Sequence, residues 1–218
     1  MNEKIREIRR KLYLNRDGAS SSSMKEKGIH YKMNLGVPVH KLKKIAAPYF
    51  PNDELAKKLW KEEIRELKIV ATLIADPTTF SESEEWVNAI QNLELAEQVS
   101  IHLLSKQSQA GKWASKWMLS DQPYIRLIGF LVYIRLFMNN YRLEDQEYTD
   151  YFHAVYHAIG SDFLPLKNAA VNSLKYLGRQ SAISAKNILA DCQKTTFIPE
   201  NVKNELLETL HFEFDYYA

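Results

Sequence analysis

Two segments of this chain repeat one helical idea at an offset of 41 residues. Arg126-Leu127-Ile128-Gly129-Phe130-Leu131 and Lys167-Asn168-Ala169-Ala170-Val171-Asn172 each place a basic residue three positions before a small one, near the head of a long apolar helix. The small residue lets a neighbouring helix approach closely. A weaker echo, Lys68-Ile69-Val70-Ala71, lies 58 residues upstream of Arg126 and leaves room for an unmatched pair between. A repeat of this length accommodates one helix pair, so the spacing predicts stacked pairs.

Periods of roughly 40–47 residues belong to helix-pair solenoids of the HEAT and armadillo type. The expected fold is therefore all-α, a right-handed solenoid of HEAT-like or armadillo-like repeats forming an α-α superhelix. Seven glycines and seven prolines in 218 residues, with little strand-like alternation of Val, Ile and Thr, agree with that expectation. The apolar run from Leu127 is interrupted by Arg135 well before the roughly 20 residues that span a bilayer. Met1 to Lys11 is charged throughout and has no apolar core for a secretory signal. A lone Cys192 excludes an intrachain disulfide, provides no zinc cluster, and reads as a buried small hydrophobe in a reducing cytoplasm.

Along the chain, Met1 to Arg16 has helical periodicity in Ile5, Ile8 and Leu12. Ala19 to Ser23 is too poor in apolar groups to pack and predicts a flexible connector. Residues 1–27 are thus expected as a basic helix with a serine-rich connector, and 28–218 as the repeat domain. Gly36 and Pro38 lead into a helix over Val39 to Ala47. One long helix, capped by Asn52 or Asp53, is expected through Leu59, Trp60, Ile64 and Ile74 to Asp76-Pro77, followed by a helix capped around Ser83. Further helices are expected over Leu93 to Leu104, Lys112 to Leu119, Gln122 to Met138 behind a Ser120-Asp121 cap, Tyr148 to Ile159, Leu166 to Gly178, Ala182 to Cys192, and Pro199 to Phe214.

The formal net charge of +2 hides an asymmetry. Residues 1–50 carry twelve Lys or Arg against four Asp or Glu. Such a split is expected of a chain whose one end faces an anion, nucleic acid above all, and equally of a solvated basic tail.

In their order along the chain, Leu35-Gly36-Val37-Pro38 with Leu42, Leu59-Trp60 followed by Glu63, Arg65 and Glu66, the set Trp117, Ser120 and Arg126, and the helix Leu166 to Arg179 resemble the AlkD-like DNA alkylation-repair glycosylases. The resemblance covers most of the chain after about Gly28 and implies HEAT-like repeats. It also implies a cleft made of a tryptophan, an aspartate four residues later, an arginine in the next repeat and a second tryptophan in the one after. These positions hold Leu93, Glu97, Arg126 and Asn172 here. If the resemblance carries over, excision of alkylated purines by N-glycosidic hydrolysis would use Glu97 to stabilise positive charge on the sugar and Arg126 to hold the backbone, with no cofactor and no metal. Leu and Asn cannot reproduce the attraction of an aromatic face for a cation or sugar C–H surface. Two other readings therefore stand beside excision: a non-catalytic binder of branched or damaged DNA, and a protein-interaction scaffold.

Arg126 reads either as a phosphate contact in a basic concave groove around double-stranded DNA or as a repeat arginine bonding a neighbouring carboxylate or carbonyl. Lys167, Arg179, Lys112, Lys116, Lys41, Lys43 and Lys44 are candidate backbone contacts that would also serve as solvated charges. Trp86, Trp113 and Trp117 are candidate substitute aromatics or core. His153 and His157, four apart, lack the Glu of a metalloprotease helix. There is no glycine-rich phosphate loop.

Overall fold

The computed structural model describes residues 1–217, Asp145 by its backbone only. Among the described residues it contains thirteen α-helices and, outside them, two short 3-10 turns and one isolated bridge between Met33 and Ile64. The chain forms two compact units, Met1–Ser108 and Gln109–Ala218.

In the first unit, α1 (Asn2–Leu14) buries Ile8 and Leu12 and packs on α3 (Val39–Ala46). The serine-rich run expected as a flexible connector is instead helix α2 (Gly18–Glu26), although none of its residues is buried. Polar contacts account for it. Asp17 caps the helix by accepting from the Ser20 amide at 3.1 Å and the Ser20 hydroxyl at 2.7 Å. The Asp17 amide donates to Leu35 O at 2.8 Å and Ser21 Oγ to Asn34 O at 2.9 Å, which fastens the helix start to the Asn34–Gly36 turn. Gly36 has φ of +72°, and a Cβ there would lie 1.9 Å from Asp17 O, so the turn accepts only glycine.

The single helix expected from Asn52 to Asp76 is two, α4 (Asp53–Trp60) and α5 (Arg65–Ile74). Between them Ile64 is extended, and Met33 takes up the neighbouring backbone groups: its amide donates to Glu63 O at 3.2 Å and its carbonyl accepts from the Arg65 amide at 3.0 Å. The break lets α5 fold back along α4, burying Leu55 and Leu59 of one and Leu67 and Val70 of the other. Asn52 caps α4 as expected, accepting from the Leu55 amide.

Ser83, expected as a cap, is the first residue of α6 (Ser83–Asn88). Its buried hydroxyl donates to Gln107 Oε1 at 2.8 Å, while Gln107 donates to Phe80 O. Trp86 of this helix stacks on Trp60, centroids 4.1 Å apart and planes within 3°. Asn92 caps α7 (Leu93–His102).

The second unit is arranged around α9 (Pro123–Met138), which is apolar on nearly every side and packs against both α8 (Ala110–Met118) and α11 (Leu164–Gly178). Gly129 makes the first contact possible: a Cβ would meet Met118 N at 2.5 Å and Ala114 O at 3.0 Å. Gln122 rather than Ser120-Asp121 precedes the helix, and Ser120 Oγ accepts from the Gln122 amide at 3.2 Å. Helix α10 (Asp145–Ile159) opens with a capping box between Glu144 and Glu147. The buried hydroxyl of Tyr151 on that helix bonds Ser173 of α11 at 2.6 Å. Helices α12 (Ala182–Lys194) and α13 (Glu200–Tyr217) end the unit, with Phe214 seated against Gly178.

Candidate nucleic-acid interface

The two units differ little in charge. The first holds 18 Lys or Arg against 15 Asp or Glu, and the second 11 against 12. Attraction of an anion must therefore come from the placement of particular cations.

In the first unit, Lys41, Lys43 and Lys44 are exposed on α3 around a buried side formed by Leu42, Ile45 and Ala46. Part of the remaining N-terminal charge is neutralised locally, Arg9 by Glu62 at 2.6 Å and Lys11 by Glu7 at 2.8 Å. Leu93 is the first residue of α7 and 39% exposed, and Glu97 is half-buried one turn later on the same face. Neighbouring Glu94 is committed elsewhere, bonded by Arg65 and by the Tyr31 hydroxyl. Burial, and then the Glu94 carboxylate, push the Tyr31 phenol well above its ordinary range.

In the second unit, Arg126 is the fourth residue of α9 and Lys167 the fourth of α11, which carries the 41-residue echo into equivalent first turns of two helices in direct contact. Arg126 is half-buried. Its Nε donates to Ser120 O at 2.8 Å and its Nη1 lies 3.1 Å from His157 Nδ1, which accepts when the imidazole is protonated on its other nitrogen. Among the described residues no carboxylate pairs with this guanidinium, and these two bonds occupy only part of its five N–H donors. The sequence singled out His157 only in a metal-site test; its link to Arg126, 31 residues away, has no local signature.

Lys167 lines a cleft of about 40 Å³ with Val171, Glu205 and Leu206, against α13. Asn172 is exposed, but five residues further along α11, on a face turned by about 140° from Lys167. Lys112 and Lys116 are exposed one turn apart on α8. The Arg179 guanidinium is held by Glu213 and lies over the rings of Tyr176 and Tyr217, 4.6 and 4.0 Å from their centroids. Of the tryptophans, Trp60, Trp86 and Trp117 are core, and Trp113 is half-buried against Trp117 at 5.6 Å. Among the described residues no group of His, Cys, Asp and Glu is arranged to hold a metal ion, and no helix is long and apolar enough to cross a membrane.

A family model described as DNA alkylation repair enzyme matches residues 8–191. This chain belongs to that family. No curated protein matches it. One solved structure, described as belonging to a new family of proteins related to the HEAT-like repeat DNA glycosylases with affinity for branched DNA structures, superposes with a TM-score of 0.79. It is 20% identical, and the match covers 97% of this chain and 94% of the other. This member of the alkylation-repair family thus has the HEAT-like helical-repeat fold expected from its periodicity.

Proposed function

We propose that this chain binds DNA through the sugar-phosphate backbone, prefers bent or branched forms, and does not excise alkylated bases. The observation that carries the reading is the Arg126 guanidinium, fixed by a carbonyl and an imidazole, with no carboxylate paired to it among the described residues and with donors to spare. A cation held by neutral partners keeps its charge for an incoming anion, and planar N–H forks match phosphate oxygens. Lys41, Lys43 and Lys44 on α3, Lys112 and Lys116 on α8, and Lys167 on α11 add exposed or half-exposed charge. Backbone contacts of this kind position DNA without reading its sequence and weaken steeply with salt.

The positions at which the AlkD-like resemblance expects tryptophans carry an exposed Leu93 and an exposed Asn172. Trp60 and Trp86 stack on one another in the core and offer no replacement face. Without those two tryptophans beside the sugar, Glu97 supplies little selective stabilisation of a departing base. The relative described as having affinity for branched DNA supports the same reading.

The test has two arms. Binding of a four-way junction and of a duplex of equal length is measured across a salt series, and junction preference with a salt-dependent affinity is expected. Methylated DNA is then incubated with the protein, and no 7-methyl- or 3-methylpurine is expected above a Glu97→Gln control. Release that depends on Glu97 would restore the glycosylase reading, and salt-insensitive or absent DNA binding would leave the scaffold reading.

A further inference from the structure

Within the second unit, a cavity of about 340 Å³ opens between α10 and the C-terminal end of α12 with the segment that follows it. Its walls are mostly aromatic. Tyr148, Phe152 and Tyr156 form a stripe at four-residue spacing on α10, with successive centroids 4.6 and 6.0 Å apart. Phe197, beyond α12, faces them with its ring within 15° of parallel to Tyr156 at 6.4 Å, and the edge of His153 meets Phe197 at 5.3 Å. Phe197 is 69% exposed, a large aromatic left at the mouth of a cavity.

One carboxylate completes the lining. Asp191 Oδ1 accepts from the Tyr156 hydroxyl at 2.6 Å, which fixes the group at the cavity wall. Among the described residues no Lys or Arg forms an ion pair with Asp191; Lys194, at the rim, is exposed and pairs with no carboxylate. The Tyr148 phenol is pushed up by burial and then by the nearby Asp191 charge, in keeping with a negative environment.

Ring faces are electron-rich and attract cations, and a fixed carboxylate adds to that field. An anion would be repelled by both. A strongly hydrated ammonium would lose its water to a wall with few acceptors, whereas a methylated nitrogen carries its charge behind an apolar surface and gives up little hydration. The volume is at the small end of ligand pockets. From this geometry we propose that the cavity is a binding site for a small quaternary ammonium cation, held against Phe197 and the half-buried Tyr148 over the buried rings of Phe152 and Tyr156, with Asp191 as counter-charge. Nothing in this assignment depends on DNA binding, since none of its residues belongs to the proposed backbone contacts.

The experiment is calorimetric titration of the full chain with tetramethylammonium and choline, with 3,3-dimethylbutanol as the uncharged isostere of choline and 7-methylguanosine as a flat cation. Saturable choline binding is expected, with the isostere weaker by about tenfold or more. Phe197→Leu, at an exposed position, is expected to weaken choline by about threefold to tenfold with no change in thermal midpoint, and Asp191→Asn to weaken it by about tenfold. Equal binding of choline and its isostere would overturn the assignment, as would no saturable binding up to about 20 mM, an affinity too weak for a formed aromatic cage. Tighter binding of 7-methylguanosine than of choline would overturn the quaternary class in favour of a planar cation. If Asp191→Asn fails to fold, the isostere comparison and Phe197→Leu still decide.

Discussion

Arg65 and Glu94 form a two-pronged ion pair across 29 residues of chain, Nε to Oε2 at 2.8 Å and Nη2 to Oε1 at 2.5 Å. Arg65 is fully buried, and its remaining terminal nitrogen bonds Glu66 at 2.9 Å and Val37 O at 3.0 Å. Glu66 in turn accepts from the amides of Leu35 and Val37. Burial disfavours the guanidinium charge, but the two carboxylates outweigh it and its pKa lies above the ordinary arginine value. The network joins the entry segment, α5 and α7.

Removing the arginine leaves two carboxylates, one of them fully buried, without their cation. Arg65→Met is expected to lower stability by about 3–5 kcal/mol, read as a shift in the midpoint of urea unfolding. Glu208→Gln, at an exposed position on α13, is expected to stay within about 0.5 kcal/mol.

Gly129 and Gly18 make a contrasting pair. A methyl at 129 would press on the α8 backbone, so Gly129→Ala is expected to cost about 1–3 kcal/mol and to lower the thermal midpoint. Gly18 opens α2 with nothing within 4 Å of its would-be Cβ, and Gly18→Ala is expected to be neutral or stabilising by a few tenths of a kcal/mol.

Two arginines are expected to separate binding from folding. Arg126→Ala should weaken DNA binding and reduce the slope of log affinity against log salt by about one phosphate contact, with little change in stability. Arg179→Ala should instead loosen α13, since its charge is spent on Glu213 and its face on Tyr176 and Tyr217. Anisotropy titrations and thermal melts on both variants test this; a fall in DNA affinity for Arg179→Ala as large as for Arg126→Ala would contradict it.

Burial pushes the Cys192 thiol up to about 11, from an ordinary value near 9. Below pH 9 the thiol is protonated whether the chain is folded or not, so its contribution to stability is constant. Between pH 9 and about 11 the unfolded chain loses its proton while the folded chain keeps it, and stability is expected to fall across that window. Cys192→Ala should flatten that part of the stability-pH curve, and the native thiol should resist alkylation at neutral pH until unfolding.

Much of the helical architecture could be read from periodicity. The 41-residue echo foresaw that Arg126 and Lys167 would occupy equivalent first turns, and Gly129 the close approach of a neighbouring helix, because helix faces and small contact residues follow from spacing alone. Caps were less legible. Asn52 behaves as its residue type suggests, whereas Ser83 gives its hydroxyl to Gln107, 24 residues away, and becomes part of the core. The break at Ile64 was invisible because residues 52–76 have helical periodicity throughout; it exists because Met33 pairs with the backbone on either side of Ile64.

The sequence by itself determined that this chain is helical, which helix faces are apolar, and where a basic residue opens a repeat, since each of these depends on neighbours within a turn or two. Only the tertiary structure decided that Arg179 is neutralised while Arg126 is not, that a serine run is helix, and that Phe197 meets a stripe on α10 beside Asp191. Those outcomes depend on which polar group lies within about 3 Å across tens of residues of chain, and hydrogen bonding and charge pairing act over that distance in space whatever the separation in sequence.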